Sequence, residues 1–164
     1  SPFHRAVETA ELALFGLEEE IDATKTFNVA LHDEDIYVDD DLRERDFGRL
    51  DNHDIDDYAL VWPVDRIDPS HTAFEVESVN SVRNRCRSFL KRVDELSDAN
   101  NVNVLVGHAD TLQIMQCCCA GLANIGEFSG YRFKNGECRE LVFNDVSKLP
   151  PEDALEKPDR LLKN

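Results

Sequence analysis

One stretch decides the fold that this sequence predicts: Asn103-Val104-Leu105-Val106-Gly107-His108-Ala109-Asp110-Thr111. An apolar, β-branched run ends at Gly107, and a helix-start signal follows His108 at once. Residues 102–106 therefore predict a central strand that is buried on both faces, as in a parallel sheet. In open α/β folds the carboxyl edge of such a sheet is where ligands bind, which makes His108 a candidate site residue.

Strand-like and helix-like patterns alternate along the chain. The predicted strands are 26–31, 102–106 and 139–144, and the predicted helices begin near Pro2, at Val79 and after His108. This alternation predicts an α/β protein, a three-layer α/β/α sandwich with a mostly parallel sheet. Residues 1–149 form the predicted domain, and residues 150–164 form a polar C-terminal tail.

The predicted helices carry signals at their ends. Ser1 and Ser78 are expected to cap the first two helices, because a serine side chain accepts a hydrogen bond from a free amide. Asp110 or Thr111 is expected to cap the helix that Gly121 ends, and Asp110 with Gln113 fits a capping box.

Composition indicates a soluble protein that we expect in the cytoplasm. The hydrophobic fraction is 41% and the charged fraction 32%, which is typical of a globular domain. No apolar run approaches the length of a membrane span, and the first residues do not follow a signal-peptide pattern. The net charge of −16 argues against nucleic acid as a partner, since phosphate backbones require a basic surface.

The cysteines predict no metal site. There are five, three of them consecutive at 117–119, and their spacing matches no zinc pattern. Buried or half-buried free thiols are the expected state, and the sequence indicates neither a metal nor another cofactor.

Three charged or titratable residues are candidates for chemistry on an anion. Arg5 lies in the first turn of a predicted helix and His108 directly precedes another, where free amides favour phosphate. Glu44 lies in a loop between Arg43 and Arg45, and a carboxylic acid beside an anion pocket could protonate a leaving oxygen. The alternative is that residues 42–48 are an exposed loop with self-paired charges. The basic residues on the helix after Ser78 are expected to be solvated.

Four motifs occur in order along the chain: Ser1-Pro2-Phe3-His4-Arg5-Ala6, Leu42-Arg43-Glu44-Arg45-Asp46-Phe47-Gly48, Glu77-Ser78, and Val104-Leu105-Val106-Gly107-His108-Ala109-Asp110. Together they resemble the landmarks of the histidine phosphatase superfamily, also called the phosphoglycerate mutase-like family. The resemblance covers residues 1 to about 144.

The resemblance implies roles for these residues. Arg5, His108 and Ala109 would bind the phosphate of a small phosphorylated substrate, and Ala109 stands where many members have glycine. Glu44 would be the general acid, so that Glu44 and His108 are the expected catalytic residues. Members of the family transfer a phosphoryl group through a phosphohistidine in an Arg-His-Gly motif, and they need no metal.

The sequence departs from the family in one respect: it contains no Arg-His-Gly. The implied phosphoglycerate mutase-like sandwich would then lack its first strand, and this chain alone would be inactive. It could be an N-terminally truncated member, or a shortened pseudo-enzyme or interaction domain that binds phosphorylated ligands without turning them over. A sheet without its first strand would expose unpaired edges. The chain could therefore form a homo-oligomer, or another chain could supply the missing strand.

The activity and substrate are only partly defined. The short interval at 49–76 favours a phosphatase-like member over a glycolytic mutase, but both remain open. A purely structural role, with Arg5, Glu44 and His108 incidental, is the third alternative.

Overall fold

A computed structural model describes residues 1–24, 36–97 and 102–149 of the chain. Its α-helices are α1 (His4–Thr24), α2 (Ile55–Tyr58), α3 (Trp62–Ile67), α4 (Val79–Leu96) and α5 (Ala109–Ala120). Short 3₁₀ turns lie at Asp40–Leu42, Gly48–Leu50, Ala73–Glu75, Ile125–Gly130 and Val146–Lys148. No helix in these three ranges combines the length and the apolarity that a membrane span requires.

The predicted sheet is wrong, because the described residues contain no β-strand. The α/β/α sandwich, with or without its first strand, is therefore also wrong. Residues 102–107 have no regular secondary structure, and Val102 and Val104 are 90% and 60% exposed. Of the other two predicted strands, 26–31 lies outside the described residues and 139–144 is irregular. A strand exists only when a neighbouring strand completes its hydrogen-bond ladder, so β-branched residues alone do not make one.

Helices α4 and α5 form the main core instead. Ser78 caps α4 as predicted, with its hydroxyl accepting from the Ser81 amide at 3.2 Å. Gly121 ends α5 as predicted, with the positive φ of 81° that a glycine adopts without strain. The core between and around these helices is built from the buried side chains of Leu42, Val79, Val82, Cys86, Phe89, Ile114, Met115, Cys117, Cys119, Ile125 and Phe128.

The segment between residues 47 and 76 forms a second, smaller core. Its buried members are Phe47, Leu50, Val61 and Val76. Tyr58 stacks on Phe47, with their ring centroids 4.2 Å apart. The apolar and aromatic residues of this stretch are thus packed against one another.

Helix α1 begins two residues later than the sequence predicted. It starts at His4, and the Ser1 hydroxyl accepts from the Phe3 amide at 3.4 Å, outside the helix. At this end of the helix Ala6 is buried, whereas Phe3 is exposed.

All five cysteines are free thiols, as predicted. Cys86, Cys117 and Cys119 are buried, and burial raises the pKa of each of them, to about 12, 12 and 11. Cys118 is half-buried, whereas Cys138 is exposed, contrary to expectation. The three buried thiols are therefore packing groups and not nucleophiles.

Candidate functional site

His108 lies at the N-terminal end of α5, in the N-cap position, and is only 8% exposed. Its two ring nitrogens have different partners. Nδ1 lies 3.1 Å from Nη2 of Arg5, and Nε2 lies 2.8 Å from the hydroxyl of Ser1. The structure thus brings Arg5 and His108 into direct contact, although they are 103 residues apart in the sequence.

The contact with Arg5 assigns the tautomer of His108. A guanidinium can only donate hydrogen bonds, so Nδ1 must accept and the proton of the neutral ring lies on Nε2. Burial and, next, the charge of Arg5 lower the pKa of His108 to about 4. At neutral pH the ring is therefore uncharged, with an N–H donor on Nε2.

Two helix N-termini meet at this ring. Arg5 lies in the first turn of α1, and Ala109 is the first residue of α5. Within the described residues, the amides of Ala109 and Asp110 have no acceptor. Free amides and aligned peptide dipoles give each helix end a partial positive charge. The junction therefore combines a guanidinium, a ring N–H and unpaired amides.

Glu44 reaches the same end of α5 from a distant loop. Its Oε1 accepts from the amide of Arg45 at 2.9 Å and from the amide of Thr111 at 3.2 Å. Thr111 is the third residue of α5, so Glu44 fills the role of a capping side chain. Glu44 makes no hydrogen bond or ion pair to Arg5 or His108 in the described parts of the chain.

The predicted capping box is wrong for this helix. Asp110 and Gln113 are buried, and the residue in the N-cap position, His108, makes no side-chain cap. The capping carboxylate comes instead from Glu44, 67 positions earlier in the chain. Local sequence patterns cannot reveal a cap that is supplied by tertiary contact.

Arg45 is the centre of a buried polar cluster that the sequence did not predict. Its guanidinium binds both carboxylate oxygens of Asp65, at 2.7 and 2.8 Å, and lies 3.5 Å from Oδ2 of Asp110. His71 and Trp62 complete the cluster: His71 Nε2 lies 2.7 Å from Asp65, and Trp62 Nε1 donates to Asp110 at 3.2 Å. The alternative that residues 42–48 form an exposed loop with self-paired charges is therefore wrong for Arg45, which is only 2% exposed.

Asp110 is the titratable group of this cluster with the largest perturbation. Burial and, next, the negative charge of Glu44 raise the pKa of Asp110 to about 7, although Arg45 and the Trp62 N–H oppose the shift. Asp110 is therefore divided between acid and carboxylate near neutral pH. The sequence marked Asp110 only as a candidate helix cap, two residues after His108.

No group of three or more metal-ligating side chains gathers in residues 1–24, 36–97 and 102–149. The polar groups that gather there are arginines, carboxylates and helix amides, which are suited to an anion and to proton transfer.

The site lies where the N-termini of α1 and α5 meet, and both helix ends carry partial positive charge. The carboxylate of Glu44 caps α5. The family model described as Histidine phosphatase superfamily (branch 1) matches residues 1–148. The chain therefore belongs to the histidine phosphatase superfamily, as the motifs indicated. A search of curated proteins and a search of solved structures each found no match.

Proposed function

We propose that this chain handles small phosphorylated molecules at the junction of α1 and α5, as a phosphatase or a phosphoglycerate mutase-like protein. Membership of a superfamily that generally contains phosphatases and mutases supports the reaction class. The contact between Arg5 and His108 at two helix N-termini carries the assignment of the site. Arg5, His108 and Ala109 would bind the phosphate.

Each group has a distinct task in this proposal. Arg5 supplies a charge-assisted donor, His108 a neutral N–H donor, and Ala109 a free amide, so that together they would hold the phosphoryl oxygens. Glu44 would protonate the leaving oxygen as its bond to phosphorus breaks. The phosphoryl group would pass to a histidine nucleophile of the Arg-His-Gly type, which these 164 residues do not contain.

Phosphate binding tests the site directly. We expect Arg5→Gln to weaken the binding of inorganic phosphate, measured by isothermal titration calorimetry, by about ten- to a hundredfold, because charge-assisted hydrogen bonds contribute about 1.5–3 kcal/mol. His4→Gln is the matched control, since His4 is the neighbouring residue on α1 and is exposed beside Glu8. Equal affinity in Arg5→Gln and the unchanged chain would contradict the proposed site.

A second candidate function is binding of phosphorylated ligands without turnover. The absence of Arg-His-Gly from the sequence favours it for this chain. We expect the 164-residue chain to bind phosphate but not to hydrolyse p-nitrophenyl phosphate. Hydrolysis that is lost in His108→Ala would instead mean that His108 takes part in catalysis without the family's nucleophile motif.

A further inference from the structure

Arg85 is a buried arginine of α4 whose five N–H groups are all used. Its Nε donates to Oε1 of Glu77 at 3.0 Å, and one Nη2 hydrogen reaches Oε2 of Glu77 at 3.1 Å. Nη1 donates to the carbonyl oxygens of Asp41 and Arg43, at 2.5 and 2.9 Å. The remaining Nη2 hydrogen points to the hydroxyl of Thr111 at 3.3 Å.

These contacts attach the Glu44 loop to α5. Asp41 and Arg43 lie three residues and one residue before Glu44 in the chain, and Arg85 binds the carbonyl oxygens of both. Thr111 adds a second attachment, because its hydroxyl lies 2.7 Å from the carbonyl oxygen of Arg43 and donates to it. The same hydroxyl lies 3.2 Å from Oε1 of Glu44, so its single proton is shared between the Arg43 carbonyl and that carboxylate, and its lone pairs accept from Arg85.

Glu77 keeps Arg85 in this position. Burial alone would raise the pKa of Glu77, but the hydrogen bonds and the charge of Arg85 outweigh it and lower the pKa. Glu77 is therefore an ionised partner that binds the guanidinium through both oxygens. A fully bonded guanidinium on the rigid helix α4 is a fixed point for the loop.

The attachment determines how Glu44 is held. One carboxylate oxygen, Oε1, accepts from two amides, those of Arg45 and Thr111, and the Thr111 hydroxyl lies 3.2 Å from the same oxygen. An oxygen that accepts two N–H donors has no lone pair left for a proton. Within the described residues Oε2 accepts no hydrogen bond, so it is the oxygen available to carry one.

We propose that Arg85 and Thr111 are positioning residues that fix Glu44 through Oε1 and leave Oε2 to carry the transferable proton. This inference rests on the proposed role of Glu44 as general acid. It assigns a task to the third motif, Glu77-Ser78, since Glu77 orients Arg85. The general acid is then placed by α4 and α5 as well as by the Arg45 amide of its own loop.

The pH dependence of two backbone amides in the NMR spectrum tests this arrangement. In the unchanged chain, the amide protons of Arg45 and Thr111 should follow one titration curve, that of Glu44, and Glu44→Gln should abolish the shift of both. In Arg85→Lys and in Thr111→Val, the amide of residue 111 should lose that shift. Arg45 should keep it, because it adjoins Glu44 in the chain.

Conservative variants separate positioning from general damage to the fold. Thr111→Ser keeps the hydroxyl and should restore the shared titration curve. Arg87→Lys changes an exposed arginine on the same helix and should have no effect. Asp110→Asn, made in each background, removes the carboxyl that directly precedes Thr111 and whose raised pKa would add a second titration there. A shared curve that survives Arg85→Lys and Thr111→Val, or a Thr111→Ser variant that behaves like Thr111→Val, would overturn the proposal.

Phosphate binding distinguishes this inference from the proposed function. Arg5→Gln should weaken phosphate binding and leave the shared titration curve intact. Thr111→Val should leave phosphate binding unchanged and abolish the shared curve. If Arg5→Gln does not weaken phosphate binding, the proposed site fails, and the titration of the two amides still decides how Glu44 is held.

Discussion

At the scale of single residues, donors and acceptors assign the state of the site. Arg5 can only donate, so the ring of His108 carries its proton on Nε2. Ser1 can accept that hydrogen bond and still donate its own hydroxyl proton. A phosphoryl oxygen that displaced Ser1 would therefore meet an N–H donor and not a lone pair.

His108 should remain neutral far below the usual range of histidine. Its pKa of about 4 follows from burial and from the charge of Arg5. We expect long-range ¹H–¹⁵N spectra to show the Nε2–H tautomer at pH 7, and Arg5→Gln to raise the pKa toward, but not up to, the ordinary 6.5. Titration of His108 near its ordinary value of 6.5 would refute the assignment.

The lowered pKa also gives His108 a definite effect on stability. The unfolded chain binds this proton near pH 6.5, whereas the folded chain binds it only near pH 4. The contribution of His108 to stability is therefore complete above the unfolded value. It is lost progressively as the pH falls from 6.5 toward 4.

Asp110 should titrate near neutral pH, and the single tryptophan of the chain should report it. Trp62 donates to Oδ2 of Asp110, whose pKa is raised to about 7. We expect the fluorescence of Trp62 to change around pH 7 and the change to disappear in Asp110→Asn. A transition that persists in Asp110→Asn would assign it to another group.

The sign of the stability effect of Asp110 is opposite to that of His108. A folded-state pKa above the unfolded 3.8 means that the folded chain loses stability from this group as the pH rises through 7. Asp110→Asn should therefore be more stabilising, or less destabilising, at pH 8 than at pH 5. Chemical unfolding at the two pH values measures the difference.

At the scale of elements, local signals in the sequence identified some helix ends but failed for the cap of α5 and for the predicted strand. The N-cap at Ser78 and the C-terminal glycine at Gly121 were predictable, because each acts on its own helix. The cap of α5 was not, because Glu44 reaches it through the fold. The predicted strand at 102–106 failed because β-branched residues describe a preference, whereas a sheet requires a partner.

The turn at Ile125–Gly130 packs so closely on the segment at Asp65 that only glycine fits at residue 126. A Cβ there would lie 2.0 Å from the Asp65 carbonyl oxygen, which is backbone and cannot move aside alone. We expect Gly126→Ala to lower the free energy of unfolding by about 2 kcal/mol or more, as overpacked sites do. Denaturant unfolding measures the loss.

Gly107→Ala is the matched control for that prediction. Its Cβ would approach the flexible side chain of Leu112 at 3.3 Å, a contact that a small rotation relieves. Its stability should therefore stay close to that of the unchanged chain. Similar losses in the two variants would contradict the role assigned to the contact between Gly126 and Asp65.

At the scale of the whole molecule, the net charge is strongly negative, whereas the site is positively polarised. The net charge is −16, whereas the groups at the junction of α1 and α5 are donors and a guanidinium. Distant carboxylates repel an approaching anion through solvent, and salt screens that repulsion more than it screens short contacts.

Phosphate affinity should therefore increase with ionic strength at low salt. The screening length falls from about 30 Å at 0.01 M to about 8 Å at 0.15 M, which removes most of the distant repulsion. Calorimetry at several ionic strengths measures the trend, and Arg5→Gln should show the same trend at weaker affinity. An affinity that falls with added salt would mean that Arg5 and the helix ends outweigh the net charge.

The sequence identified the family and the individual candidate residues better than it identified their surroundings. Arg5, Glu44 and His108 could be named because short motifs carry them. The buried cluster of Arg45, Asp65, His71, Trp62 and Asp110 could not, because its members come from separate parts of the chain and each is ordinary where it stands. Contacts between residues that are far apart in the chain produce no repeating pattern in a single sequence.

A carboxylate that caps a helix has a limited reach. Rotating Glu44 outward would free the Thr111 amide, and losing a cap costs about 1 kcal/mol. If Glu44 is the general acid, a substrate that brings its ester oxygen to Oε2 reacts without that cost, whereas one that does not must draw Glu44 away from the Thr111 amide. The distance from phosphorus to the bridging oxygen is the same in all phosphomonoesters, so selection would fall on the orientation of the leaving group. A capped Glu44 thereby favours substrates whose ester oxygen lies within reach of Oε2.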